Sequence, residues 1–332
     1  MSARHAAMVA LAACLWGLSG TAAQWLMQAD GVSPAWLTTV RMAVTGLALL
    51  AVLARRQPGT WWALWRHRAD RPRFLIFSLV GLAGVQYTYL AAIAASNAAM
   101  ATLLQYLAPP ILVVATAVAI RRRIAAGQAL LMAAAGAGTW LLLSGGRPAS
   151  LLVSPAGLLW GILAAGTLAF YTWTAPPLLA RHGTVAVMAW SMLVGAAAVS
   201  LAQPPVGGPH PWTWAVVGLV ATVAVGGTLL AFGLFLASLS HISPATAAWL
   251  AAVEPVAAGI SAHLFLHVPL NAAQMTGGAM VLGAAGWLAA LGQRQHGGGR
   301  AGDPIMAAAY PAEAEGEAHG HTTDVSQAQN PN

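Results

Sequence analysis

Long apolar runs follow one another along almost the whole chain, separated by short polar or arginine-bearing stretches. A helix needs about 20 apolar residues to cross the roughly 30 Å hydrocarbon layer of a bilayer. Runs of that kind occur at Ala6–Met27, Ala35–Leu53, Phe74–Ala94, Ala98–Ile120, Ala126–Leu143, Ala156–Leu179, Thr184–Leu201, Trp214–Leu236, Ser243–Leu266 and Ala272–Leu291. None shows the period-two alternation of a membrane-barrel strand, so the pattern predicts ten transmembrane helices. The breaks at Ala95–Asn97 and Ala237–Ile242 are short enough to imply tight hairpins. The first run follows Arg4 and His5 and carries Thr21-Ala22-Ala23, which loosely resembles a cleaved signal peptide. It also opens an internal repeat, so a retained helix is expected.

Composition points the same way. Of 332 residues 58% are hydrophobic and 7% charged, against about 25% charged in soluble domains. The chain cannot cover a soluble surface of its size, and lipid is its main solvent. All fifteen basic residues are Arg. The net charge of +7 does not imply a nucleic-acid partner, because the Arg residues sit in short loops between apolar runs. With the N-terminus inside, thirteen of them fall on cytoplasmic segments, Arg147 falls outside, and Arg41 lies within a span. Retained loop arginines set orientation, which predicts a multi-pass inner-membrane protein with both termini cytoplasmic. Trp61, Trp62 and Trp65 with Arg66 and Arg68 suit an interfacial stretch, rings at the headgroups and Arg in water. Cys14 is single, so no internal disulfide is possible. The tail over 293–332 lacks a periodic apolar face and is expected to be disordered, with His319 and His321 solvated rather than metal-bound. No metal site, cofactor or nucleotide-binding loop is expected.

The two halves of the chain match each other. A shift of 146 residues carries Leu90-Ala91 onto Leu236-Ala237, and Ala99, Ala101, Leu104 and Pro109 onto Ala245, Ala247, Leu250 and Pro255. It also carries Gln128 onto Gln274, while a shift of 144 carries Trp16-Gly17 onto Trp160-Gly161. The expected units are residues 1–144 and 155–292. Each holds five helices, an odd number, so the second must enter the membrane from the opposite side. The fold class expected is an all-α membrane protein of two inverted five-helix repeats. Such halves commonly enclose a site near the bilayer midplane and rock about it.

These features resemble the drug/metabolite transporter superfamily, and within it the ten-helix EamA-type members. The resemblance covers about Ala6–Leu291. It rests on Leu15-Trp16-Gly17, on Ser33-Pro34 followed by Arg41, and on Ser243-Pro244-Ala245 leading to Val253-Glu254-Pro255-Val256. Leu264-Phe265-Leu266, Gln274, Gly277 and Gly278 continue it. The resemblance implies secondary transport of small metabolites, amino acids or drugs, with export the expected direction and a cavity between the halves. There are departures. The acidic residue usual just after the fourth and ninth helices is replaced by Arg121–Arg123 and by His267-Val268. Ala108 stands where the second half has Glu254, and Arg41 has no counterpart.

Glu254 is the one acidic residue inside any of these spans. A charge there is costly, and such residues face a cavity or a partner. It shares a stripe with Ser243, Ala247, Ala251, Ala258 and Ser261, opposite Trp249, Val256 and Ile260. It reads either as a substrate-amine or proton site or as a hydrogen-bonded structural carboxylate. Arg41 reads as a structural arginine bonded to carbonyls, or as an anion contact. A direct Arg41–Glu254 pair requires their helices to be neighbours. Pro109 and Pro110 free the carbonyls of Gln105 and Tyr106, and Pro255 frees that of Ala251, so both halves should be kinked at one level. Trp16, Trp160, Gln86, Tyr87, Tyr89 and Tyr171 are candidates for the cavity wall, each equally explicable as packing. Ala279, Gly283 and Gly286 read as a tight-packing face. The competing functions are a lipid-modifying membrane enzyme, for which no span carries a catalytic set, and a scaffold or sensor. Proton coupling is open, as is the choice between monomer and homodimer.

Overall fold

The computed structural model describes residues 3–59, 61–119, 121, 123–147, 153–204, 208–239, 250–268 and 271–296, and every regular element among them is helical. Eight helices are long and apolar enough to cross a membrane: α1 (Ala3–Gln28), α2 (Pro34–Arg56), α3 (Arg68–Ala95), α4 (Ala98–Ala119), α5 (Ala126–Ser144), α6 (Pro155–His182), α7 (Thr184–Ala202) and α8 (Trp214–Phe235). The shorter apolar α9 (Val253–Leu266) and the long α10 (Ala272–His296) complete ten helices. The protein is an all-α membrane protein of two inverted five-helix repeats. Residues 243–249 of the ninth span, residues 240–242 of the expected hairpin, and the tail with His319 and His321 lie outside the described residues.

Local chemistry starts these helices where the apolar runs begin. Ser33, Asn97, Ser154 and Thr213 each accept a bond from a backbone N–H in the first turn, at 2.9–3.2 Å. Pro34 and Pro155 occupy first-turn positions, where their missing N–H costs nothing. The Gln128–Gln274 match has the same origin. Gln128 Oε1 accepts from Ala125 N at 3.2 Å, and Gln274 Oε1 from Asn271 N at 3.1 Å.

Helix packing carries the symmetry of the repeat. α1 lies on α8 and α9, and α6 lies on α3 and α4. α2 contacts α8 as α7 contacts α3. The pairs α2–α7, α4–α9 and α5–α10 bridge the halves. Exchanging each helix for the one five places on maps this set onto itself, which is the signature of a pseudo-two-fold axis. Three backbone features also obey the 146-residue shift. π-helical turns interrupt α3 at Phe77–Ala83 and α8 at Thr222–Leu230. The fourth span breaks at Tyr106–Leu107 and the ninth at Ala252. The paired caps of α5 and α10 are the third.

Glycines set the closest approaches. A Cβ on Gly138 would stand 2.7 Å from the Gly277 carbonyl, so α5 and α10 meet backbone to backbone. The packing residues of α10 are therefore Gly277 and Gly278. Of the face expected from Ala279, Gly283 and Gly286, Gly286 is buried, whereas Ala279 and Gly283 are exposed and open space surrounds Gly283.

Two spans run longer than their apolar stretches. α3 starts at Arg68 rather than Phe74, and α6 continues through Pro176 and Pro177 to His182. The cause is an ion cluster. Asp70, 2% exposed, accepts from Arg181 Nη1 at 2.9 and 3.0 Å and lies 2.8 Å from His182 Nε2. The neighbouring tryptophans pack together. Trp61, Trp62 and Trp65 pack on one another and on Trp190 of α7, and Trp190 Nε1 donates to the Trp61 carbonyl at 2.7 Å. Asp70→Asn is expected to cost about 1.5–3 kcal/mol of stability, as for hydrogen bonds to charged groups. Arg181→Gln should cost less, since Arg181 is half exposed and Asp70 keeps His182. Thermal unfolding in detergent checks that order.

Candidate functional site

The site forms where the two broken spans cross. Pro255 has no N–H, so the carbonyl of Ala251 loses its helical donor. Tyr106, lying in the break of α4, supplies the missing donor: its hydroxyl bonds the Ala251 carbonyl at 2.8 Å. One half's break is closed by a side chain from the other half's break. In lipid such a carbonyl must find a partner inside the protein.

Glu254 lies in the first turn of α9, directly after its break. Among the described residues it has no ion pair or hydrogen bond to its carboxylate. Val256 and Ile260 are 52% and 56% exposed, while Ala258 and Ser261 are buried, so the polar stripe faces inward. α1 lies across this turn because position 17 is glycine. A Cβ there would meet the Glu254 carbonyl and the Ala258 nitrogen, both at 2.7 Å. One turn on, Thr21 and Ser261 hydroxyls meet at 2.6 Å.

Arg41 is 5% exposed on α2, and its Nη2 donates to the Gln86 carbonyl of α3 at 2.6 Å. Its buried Nε has no partner. Arg41 and Glu254 form no ion pair. Tyr89 lies one helical turn beyond Gln86 on α3. The Tyr89 hydroxyl is 2.9 Å from that of Thr102, and Gly20 clears its space, since a Cβ there would sit 2.8 Å away.

The other candidates are dispersed. Gln86 is buried and its amide reaches Met192 Sδ at 3.9 Å. Gln105 is half-buried beside the break. Pro109 and Pro110 follow the break of α4, as Pro255 follows that of α9. Trp16 packs against Phe232 and Phe235, with ring centroids 5.4 and 5.3 Å away. Tyr87 meets Trp160 edge-on at 5.6 Å and bonds Gln203 at 3.1 Å. Tyr171 stacks on Phe77 at 5.3 Å. The Thr21–Ser261 pair was not anticipated; two hydroxyls on facing small-residue stripes were its available signal.

The family model described as the EamA-like transporter family matches residues 4–144 and again 155–289. The chain belongs to the EamA-like transporter family. Among EamA-type relatives, the uncharacterized inner membrane transporter YicL of Salmonella typhimurium is 34% identical over 274 residues, 82% of this chain and 91% of its own. The threonine/homoserine exporter RhtA of Escherichia coli K12 is 27% identical over 245 residues, 72% of this chain and 76% of its own. A solved crystal structure superposes with a TM-score of 0.59 at 20% identity, covering 88% of this chain and 98% of that one; it bears on the fold alone. The protein is thus a multi-pass EamA transporter of the drug/metabolite transporter superfamily, and its two family matches meet at the Tyr106–Ala251 contact.

That contact makes a sharp prediction for this EamA site. Tyr106→Phe leaves the Ala251 carbonyl unpaired and should cost about 1–2 kcal/mol. In a Pro255→Ala background the restored N–H takes that carbonyl, and the same change should cost almost nothing. A double-mutant cycle on unfolding in detergent should give a coupling of about 1 kcal/mol; additive effects would contradict the assignment.

Proposed function

We propose that the protein is a secondary exporter of small amine-bearing metabolites in the inner membrane, with both termini cytoplasmic and Glu254 at the centre of its transport site. One observation carries the reading: the sole carboxylate in the crossing region has no protein partner among the described residues. A half-buried carboxylate in the membrane interior needs a cation or a proton. A substrate ammonium and a proton would compete for it, which couples outward substrate movement to inward proton movement. Alternating access follows from the repeat. The two halves rock about the crossing, and the breaks supply hinges at one level in each.

The relatives support transport over the alternatives of a lipid-modifying enzyme or a scaffold. RhtA, an exporter of threonine and homoserine by its name, supports small amino compounds as cargo. The positive-inside pattern supports the orientation.

Reconstituted vesicles loaded with labelled L-threonine and given a pH gradient test the reading. Glu254→Gln should insert normally, yet lose gradient-driven flux by about tenfold or more, as expected for one charge-assisted contact. Undiminished flux with unchanged pH dependence in that variant would refute it.

A further inference from the structure

Arg41 stands out once each buried charge is asked what satisfies it. Two charged side chains are buried among the described residues, Asp70 and Arg41, and Asp70 has both Arg181 and His182 at 2.8–3.0 Å. Arg41 is as deeply buried and receives one backbone carbonyl, that of Gln86. A guanidinium has five N–H donors. Its Nε is sealed from water with nothing to bond, and no acidic residue pairs with it among the described residues. A buried cation left in this condition is expensive. Carbonyl bonding alone is an incomplete account of it.

The surroundings define what would complete it. Arg41 bonds the Gln86 carbonyl of α3, and Tyr89 lies one helical turn further along the same helix. The Tyr89 hydroxyl, held by Thr102, lies against Gly20 of α1, one turn from Gly17, which abuts the Glu254 backbone. The region therefore presents a cation and an anion that are not paired with each other, with Tyr89 placed between them. A ligand bearing a single charge would satisfy one and leave the other stranded. A compact zwitterion satisfies both.

We propose that Arg41 binds the carboxylate of the substrate, so that the cargo is a small zwitterionic amino acid rather than a simple amine. This rests on Glu254 as the ammonium site. Arg41 then acts as the specificity residue. Amines without a carboxylate bind weakly, because they leave the guanidinium uncompensated. Arginine suits the task because its rigid fork matches a carboxylate and its charge is permanent.

The test compares L-threonine with its decarboxylated counterpart, 1-aminopropan-2-ol, as ligands of the purified full chain in lipid nanodiscs. The wild type should bind L-threonine at least about tenfold more tightly, a difference of about 1.4 kcal/mol. Arg41→Gln should abolish that preference by weakening L-threonine about tenfold more than 1-aminopropan-2-ol, and Arg41→Lys should keep part of it. Glu254→Gln should weaken both ligands. If Arg41→Gln fails to fold, the wild-type preference and the lysine variant still decide. Equal affinity of the wild type for the two ligands overturns the proposal and leaves the Glu254 reading standing. So does equal weakening of both by Arg41→Gln in a folded protein, as expected if Arg41 merely supports the helices. Binding that survives Glu254→Gln unchanged overturns the amine reading itself, and binding of neither ligand by the wild type overturns both.

Discussion

Inside a bilayer there is no water to rescue a polar group, so every backbone donor, carbonyl and charge must be satisfied by the protein or by what it carries. Ten helices meet that demand along most of their length. It becomes acute where two helices are broken. Pro255 removes a donor, and the hydroxyl of Tyr106 replaces it across the boundary between the halves. The crossing is thus held by a bond that only the opposing repeat can provide. Beside it lies Glu254, and on α2 lies Arg41, bonded to the Gln86 carbonyl; no protein charge neutralises either among the described residues. The fold resolves its backbone debt here and leaves its side-chain charges open, which suits a site that a small molecule enters and leaves.

The two halves share a scaffold but not a chemistry. Caps, π-turns, breaks and helix pairings repeat at one register. Glu254 faces Ala108 in that register, and Tyr106 faces Ala252. The packing has diverged as well. Gly161 of α6 meets Leu104 of α4, whose counterpart is Leu250, whereas Gly17 of α1 meets α9 at Glu254 and Ala258. That offset of four residues is about one helical turn. α4 and α9 are therefore seated at different heights on their partners. In an inverted repeat such an inequality gives the two faces of the membrane different access, and exchanging the two seatings would exchange the faces.

Much of this was legible in the residues. Apolar run length marked the helices, loop arginines marked the ends, and the matches at Pro109–Pro255 and Gln128–Gln274 marked a duplication whose breaks and caps fall in register. Glu254 stood out because a carboxylate is costly in lipid. What could not be read was lateral: which side chains meet across helices. The Tyr106–Ala251 bond, the Thr21–Ser261 pair and the Asp70 cluster join residues more than a hundred positions apart, and no local pattern announces them. The π-turns were hidden too, since one extra residue per turn barely disturbs an apolar run. Trp16, Trp160 and Tyr171 were ambiguous for a related reason. Rings that pack between helices and rings that line a cavity have the same sequence signature.

Everything above depends on opposed halves, and therefore on the two ends of the chain sharing one side of the membrane. The most direct measurement places single cysteines, in a Cys14→Ser background, ahead of α1 and in the tail beyond Gln293, and labels them with a membrane-impermeant thiol reagent in intact cells and in inverted vesicles. Both should react only in inverted vesicles. Reaction of one end from outside and the other from inside would make the helix count odd and contradict the inverted pairing.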